Sequence, residues 1–520
     1  MEEPSGPLRR AWWTRSWYAF PLVLAVCLVV YGVSLGAGGF AQTEGHRAVP
    51  GFAMLETGDG IVPELFGTDY VRKPPGMPWA IAASAAVFGQ TEFAARLVSA
   101  VSAALIALIS AVFARRWFGP RAALPVGLAA ALMPWMWAFG RAAEIEALNQ
   151  LGTCVAALAT VALLVYRRGP WLGPLALMIG MAILLFAKGP AGIAVPLACL
   201  LSACVITGSW ARVASARWWL STLAALGLFG LWAALAASHA DAEAVTQSPG
   251  AFLWSEPAVD VASLVPASFL SALPASLALL FPWGPDARSE AAEAEDGARV
   301  LAIARALGLA WLLSLAAWMA FGVGNPRYTL PAAVLCPPLV GYVGWLYGSR
   351  LTQTRRTIAR IMSLGHPLAL PTLLLACLPV YLRFYEAPIR ATSGRDAGSG
   401  FAETLLEFGT STKAPDDPIP IYAGSAINTR PETLWYMERR WAELRRERDS
   451  LLQLEARWVP SLQSTGPPTT PSFAVIRDAR ADASEAFGGA GYTILEQARV
   501  HHHRYALVRF EQPAQHRKPR

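Results

Sequence analysis

Residues Gly76 to Gly89 read GMPWAIAASAAVFG, and the architecture turns on whether this apolar run crosses a membrane. A spanning helix needs about 20 apolar residues to cross a hydrocarbon core of about 30 Å. The run is too short for that and suits a helix lying in the membrane interface. Around it lie eleven runs of spanning length, at roughly 17–38, 97–114, 122–139, 149–166, 171–187, 190–208, 218–238, 264–283, 306–322, 328–347 and 366–382. Charge decides the direction. With 76–89 held at the surface and a cytoplasmic N-terminus, seventeen arginines, from Arg9 to Arg360, fall in cytoplasmic loops. The outer loops keep only seven cations: Arg47, Arg72, Lys73, Arg96, Arg141, Lys188 and Arg327. That bias obeys the positive-inside rule. If 76–89 crossed, the loops at 115–121 and 167–168 would change sides and the bias would collapse.

Composition agrees. Of 520 residues 54% are hydrophobic and only 15% charged, against about a quarter charged in soluble domains. After Leu382 charged residues, Pro and Ser take over. The chain therefore reads as an all-α polytopic membrane domain over 1–383, followed by a small soluble α/β domain over 384–520. With eleven spans the soluble domain is expected on the extracytoplasmic side. Strands are expected at 418–423, 472–476, 492–496 and 504–510, and a charge-rich helix at about 430–454. The net charge of +7 comes from orientation arginines and does not point to nucleic acid. The six cysteines all sit in apolar runs, which argues against a disulfide framework or a Cys-ligated metal.

The outer loops hold the chemistry. The first carries Glu44, His46, Arg47, Glu56, Asp59, Glu64, Asp69, Tyr70, Arg72 and Lys73. The second, GRAAEIEALN, brings Arg141, Glu144 and Glu146; later turns are AKGP with Lys188 and GNPRY with Arg327 and Tyr328. Only four of the 43 basic residues are lysines, and the two in the membrane body, Lys73 and Lys188, each precede proline at an outer turn. A lysine ammonium is a compact, rotatable charge suited to a phosphate oxygen. Salt bridges that fix loop ends are the plainer reading of any one of these residues. A divalent metal is left open, because carboxylates outnumber cations in the first loop, although no metal-ligand spacing occurs. His501, His502 and His503 read as a turn or strand end.

The segments TEGHRA, MLETGDGIVPELFGTDYVRKPPGMPWAI and FGQTEFAARLVSA, with AKGP and NPRYTLP, resemble the polyprenyl-phosphate-sugar-dependent glycosyltransferases of family 39. That group includes protein O-mannosyltransferases and the lipid A aminoarabinose transferase. The resemblance implies a C-type glycosyltransferase fold at a bacterial inner membrane, with interfacial helices in the first outer loop. It implies transfer of a sugar from a polyprenyl-phosphate carrier to an acceptor hydroxyl, with inversion. The family's acidic pair falls on Thr43 and Glu44, so the first acid is missing and Glu44 becomes the candidate base. The family's second-loop acid falls on Glu146 or, alternatively, Glu144, and Lys73 matches the phosphate-holding lysine. Arg72, Arg47, Arg141, Arg327, Tyr70 and Lys188 complete the donor candidates. A transporter is the alternative class, but it should place charges at mid-membrane, where almost none are found. A catalytically degenerate scaffold is the third reading, prompted by Thr43.

Overall fold

The computed structural model describes residues 18–41, 43–166, 172–240, 264–283, 288, 296–321, 326–346, 393–409, 419–423, 431–447, 454–458, 473–477, 492–500 and 503–510. Over these the chain forms two compact units, each assembled from separate stretches. One comprises Met1–Leu35, Val71–Met77 and Arg96–Tyr385; the other Gly36–Tyr70, Pro78–Ala95 and Glu386–Arg520.

Among the described residues, helices of nine residues or more are α1 Ala19–Cys27, α2 Gly45–Thr57, α3 Gly76–Phe88, α4 Glu92–Phe118, α5 Ala123–Ala131, α6 Ile145–Val161 and α7 Leu172–Lys188. They continue with α8 Ala194–Thr207, α9 Ala216–His239, α10 Gly297–Ala320, α11 Pro337–Leu346, α12 Ser393–Gly409 and α13 Pro431–Glu447. Five helical stretches are long and apolar enough to span a bilayer: Glu92–Phe118, Ile145–Tyr166, Pro190–Thr207, Ala216–His239 and Gly297–Ala320. Shorter apolar helices cover Ala19–Gly32, Gly76–Phe88, Leu172–Lys188 and Leu330–Leu346. The chain is thus a multi-pass membrane protein.

The described residues do not add up to the expected eleven spans. Proline is the physical reason. Its ring cannot continue a helix, and the expected span 122–139 breaks before Pro134, while 328–347 is interrupted before Pro337. The expected span 264–283 divides into a short helix, Leu264–Ser271, and a 3-10 turn, Ala275–Leu280. The span expected at 366–382 lies outside the described residues. At 13 residues, α3 is only about 20 Å long, short of the bilayer core, as expected of 76–89.

Lipid-facing surface is plain on α9. Leu220, Leu223, Leu228 and Leu231 are all more than half exposed, a surface that water would not tolerate but a bilayer does. By contrast α6 and α7 meet closely through small residues. A Cβ on Gly152 would stand 2.5 Å from the Leu184 nitrogen, and one on Gly180 2.5 Å from the Ala156 nitrogen. Without a hydrophobic drive between helices in lipid, such small-residue contacts are what let backbones approach. The antiparallel crossing brings the start of α6 and the end of α7 to one membrane face. Gly180→Leu is expected to wedge the pair apart and destabilise the membrane unit by about 3 kcal/mol or more, read as earlier thermal unfolding in detergent.

The second unit carries a five-stranded sheet in the order β4-β3-β5-β7-β6. Its strands are β3 Ile419–Ala423, β4 Leu454–Trp458, β5 Phe473–Arg477, β6 Tyr492–Val500 and β7 His503–Phe510; β1 Glu64–Leu65 and β2 Thr68–Asp69 make a small hairpin in the first loop. β3 runs parallel to β4 and β5, whereas β7 runs antiparallel to β5 and β6. Strand β4 takes the end of the stretch expected as helix, and α12 adds a helix that the sequence reading had not placed. Helices α12 and α13 approach so closely that a Cβ on Gly398 would lie 2.4 Å from the Thr433 carbonyl.

One acid on α13 is set up as a pH-sensitive point. Burial, and then the nearby Glu56 carboxylate, push the Glu438 carboxyl up to about 7. An acid with a raised folded pKa binds its proton more tightly when folded. Stability is therefore intact below about 4.5 and is lost as pH rises to about 7. Glu438→Gln removes this loss: it is expected to gain about 2–3 kcal/mol over the wild type above pH 7 and little at pH 4.5, in denaturant titrations across that range.

Candidate active site

The first unit gathers charged groups from four separate turns. Glu144 sits at the N-cap of α6 with extended backbone, and Glu146 follows in the first turn. Lys188 ends α7, and Arg327 lies in the 3-10 turn Pro326–Tyr328. Carboxylates at a helix start and a cation at a helix end both suit the helix dipole. Arg327 binds both acids. Its Nε donates to Glu146 Oε1 at 2.6 Å, and its Nη2 donates to Glu146 Oε2 at 2.7 Å and Glu144 Oε2 at 2.8 Å. Lys188 Nζ reaches Glu146 Oε1 at 3.4 Å. The acids are almost fully buried, but the Arg327 side chain keeps 30% of its exposure. Burial opposes the Arg327 charge, but Glu146 and then Glu144 outweigh it and hold its pKa above the usual arginine value.

Aromatic rings complete the cluster. Lys188 Nζ lies 4.7 Å from the Tyr328 ring centre, and the Arg327 guanidinium 5.2 Å from that of Phe139. Tyr328 rests in turn on Trp318. Ser99 Oγ donates to the Glu144 carbonyl at 3.3 Å, which steadies the turn before α6. One helical turn further along α6, Asn149 Oδ1 and Gln150 Nε2 are buried and find no hydrogen-bond partner among the described residues.

The two lysine turns also meet. A Cβ on Gly76 would lie 2.6 Å from the Phe186 carbonyl, and one on Gly189, whose φ is +88°, 3.9 Å from Pro74. KPPG at 73–76 therefore packs along FAKG at 186–189. Gly189, in the left-handed region, ends α7 directly after Lys188, and Pro190 opens the 3-10 turn that follows. Lys73 itself is half-buried, and Arg72 makes no hydrogen bond or ion pair among the described residues.

Arg141 holds backbone carbonyls. Its Nη1 and Nη2 donate to the carbonyls of Val30 and Val33 at 3.0 and 2.8 Å, while Arg96 Nη1 donates to that of Leu35 at 3.2 Å. Both arginines thus satisfy carbonyls left over where the first helix ends. The sequence could not tell this use from phosphate binding, because both call for a cation at a turn between apolar runs.

In the second unit, Glu44 is the residue before α2 and is buried. Its Oε2 accepts the Ala41 amide at 2.7 Å. Arg47 Nη1 donates to the Tyr70 hydroxyl at 3.1 Å, and the His46 and Tyr70 rings lie 6.2 Å apart. Tyr436 of α13 accepts the Phe40 amide and donates to Glu92 Oε1, both at 2.8 Å. Arg395 pairs with the same Glu92 oxygen. Burial, and then Glu92, keep the Tyr436 phenol well above its usual pKa, so it stays a neutral donor. Glu92, Arg395 and Tyr436 escaped the sequence reading; no motif marks them, since their partners lie hundreds of residues away. Among the described residues no three His, Cys, Asp or Glu side chains gather as a metal site. His501 and His502 lie outside the described residues, and His503 begins β7.

Comparison with known proteins points one way. Residues 72–234 match the family described as dolichyl-phosphate-mannose-protein mannosyltransferase. The undecaprenyl phosphate-alpha-4-amino-4-deoxy-L-arabinose arabinosyl transferase of Pseudomonas savastanoi pv. phaseolicola is 37% identical over 102 residues, 19% of each chain. That of Pseudomonas paraeruginosa is 36% identical over 121 residues, 23% of this chain and 21% of the relative. The match thus spans about a fifth of these relatives' length. Among solved structures, ArnT from Cupriavidus metallidurans bound to undecaprenyl phosphate superposes with a TM-score of 0.65 at 18% identity, covering 96% of this chain and 99% of that one. Its apo form gives 0.64 at 19% identity, covering 94% and 97%. At that identity the likeness is one of fold.

Proposed function

We propose that this chain, a member of the family-39, C-type glycosyltransferases by its matched segment and its fold, moves a sugar from a polyprenyl-phosphate carrier to an acceptor hydroxyl at the outer face of the membrane. The observation that carries the reading is the cluster in the membrane unit: Arg327 and Lys188 held on Glu144 and Glu146, with the Lys73 turn packed along the Lys188 turn. The arrangement suits a phosphate that leaves as an anion.

In the reaction the acceptor oxygen bonds the anomeric carbon as the carbon–phosphate-oxygen bond breaks. The acceptor proton passes to a carboxylate, and the electron pair of the broken bond stays on the phosphate. Lys73, Lys188 and Arg327 stabilise that growing charge; one preorganised donor of this kind is worth about 10²–10³ in rate. Glu144 and Glu146 are neutralised by their cations. We assign them to positioning those cations and the acceptor, and Glu44 to the general base. Arg72, beside Lys73, is a further phosphate ligand. Arg47 and Tyr70 order the Glu44 loop, and Arg141 is structural. No step is routed through a metal. The domains are taken as 1–383 and 384–520.

Orientation follows from the same reading. The first loop and the C-terminal segment share one compact unit, so they occupy one side of the membrane and an even number of crossings separates them. With α1 before them, the total is odd. Together with the arginine bias this supports a cytoplasmic N-terminus and an extracytoplasmic C-terminal domain in a bacterial inner membrane.

The test uses full-length protein in nanodiscs, with undecaprenyl-phosphate-linked 4-amino-4-deoxy-L-arabinose as trial donor and an undecaprenyl-phosphate-linked hexose as second donor. Release of undecaprenyl phosphate that needs an acceptor hydroxyl supports the reading. Binding of both donors with no release, or transport of the intact lipid across a sealed vesicle, refutes it.

A further inference from the structure

We infer that Glu432, carried by the C-terminal domain, is a positioning residue for Glu44, acting by fixing the turn that starts α2. The inference rests on the proposed role of Glu44 as base. Glu432 stands in the first turn of α13 and is fully buried. A Cβ on Gly45 would lie 2.3 Å from Glu432 Oε2, 2.9 Å from its amide nitrogen and 3.0 Å from its Cβ. Only glycine leaves room there, and it sits directly after Glu44, at the first position of α2. The first amides of a helix lack intrahelical acceptors and attract an anion. Glu432 thus places a carboxylate at the N-terminus of a 13-residue helix, on the turn where Thr43 brings none.

The surroundings make this a fitted joint. Trp435 packs on Phe40 and Phe52 with ring centres 5.5 and 5.4 Å apart. Tyr436 holds the Phe40 amide on one side and Glu92 on the other, at 2.8 Å each. One helix of the C-terminal domain therefore grips the first loop before Glu44, at Gly45 and at its far end. Among these side chains the Glu432 carboxylate is the one set against Gly45, the residue directly after Glu44.

Two variants test it in full-length protein. Glu432→Gln keeps the shape and removes the charge; Gly45→Ala keeps the charge and displaces the carboxylate. Both are expected to speed amide exchange in the first turns of α2 about tenfold while α12 and the sheet stay protected. Both should lower kcat for undecaprenyl phosphate release about tenfold with the donor KM unchanged, with kcat counted per folded, monodisperse enzyme recovered by size exclusion so that a loss of folded protein is not read as a loss of turnover. Unchanged exchange at α2 in both variants overturns the inference, and so does faster exchange with wild-type kcat. If Glu432→Gln loosens the whole unit, Gly45→Ala decides by the same criteria. If the wild type releases no undecaprenyl phosphate from either donor, the proposed function fails, and the exchange measurements still decide whether Glu432 fixes the Glu44 turn.

Discussion

Arg327→Ala is expected to abolish sugar transfer and to weaken the membrane unit together. Three hydrogen bonds tie this one guanidinium to Glu144 and Glu146, both almost fully buried. Removing it strands two carboxylates in a site from which water is largely excluded. Breaking a buried pair by deleting one partner costs about 3–5 kcal/mol, and the 30% exposure of Arg327 places this case near the lower figure. Lys188 would remain on Glu146, so the collapse should be partial. The two losses separate in a triple variant. Adding Glu144→Gln and Glu146→Gln to Arg327→Ala removes the stranded charges and should recover most of the lost stability, read by thermal unfolding in detergent. Transfer should not return, because the cation is still missing. Recovery of activity in the triple variant would show that Arg327 serves only to neutralise its two acids. Arg327→Lys cannot mimic the fork, since an ammonium cannot bond both carboxylates from one plane.

Lys73→Ala is the complementary case, a large functional loss in a folded protein. Lys73 is half-buried at a bend, and the packing of its turn rests on Pro74 and Gly76. Those contacts survive the change. If Lys73 has the proposed role, loss of this one donor to the leaving phosphate is expected to lower turnover about 100-fold or more, with unfolding temperature unchanged. Lys188→Met should do less to turnover alone but more to stability, because Lys188 also holds Glu146 and the Tyr328 ring. Lys73→Ala with full activity would remove Lys73 from the site.

The residues of the proposed site were legible in the sequence only as far as local pattern reaches. Lys73 and Lys188 stood out because each breaks the chain's preference for arginine and each precedes proline. Glu144 and Glu146 stood out as charges directly before an apolar run. Arg327 was visible only as one more cation at an outer turn, and its fork onto acids 181 and 183 residues earlier had no sequence signature. Arg141 looked identical to it in pattern and serves the end of α1. The two differ in which helix end lies within reach, which local pattern does not encode.

The sequence by itself determined that the chain lives in a membrane, that the run 76–89 is too short to cross it, and which charged residues fall at its turns. These follow from run length and charge bias, which are properties of adjacent residues acting against a bilayer of known thickness. Only the tertiary structure decided that the first loop and the C-terminal segment share one unit, with Tyr436 bridging Phe40 and Glu92 across 396 and 344 residues. It also decided how the outer charges pair. Such contacts depend on how closely helices pack, and that is set where Gly152, Gly180 and Gly45 leave room for a neighbour's backbone or carboxylate. A glycine looks the same in sequence whether it turns a loop or admits another helix.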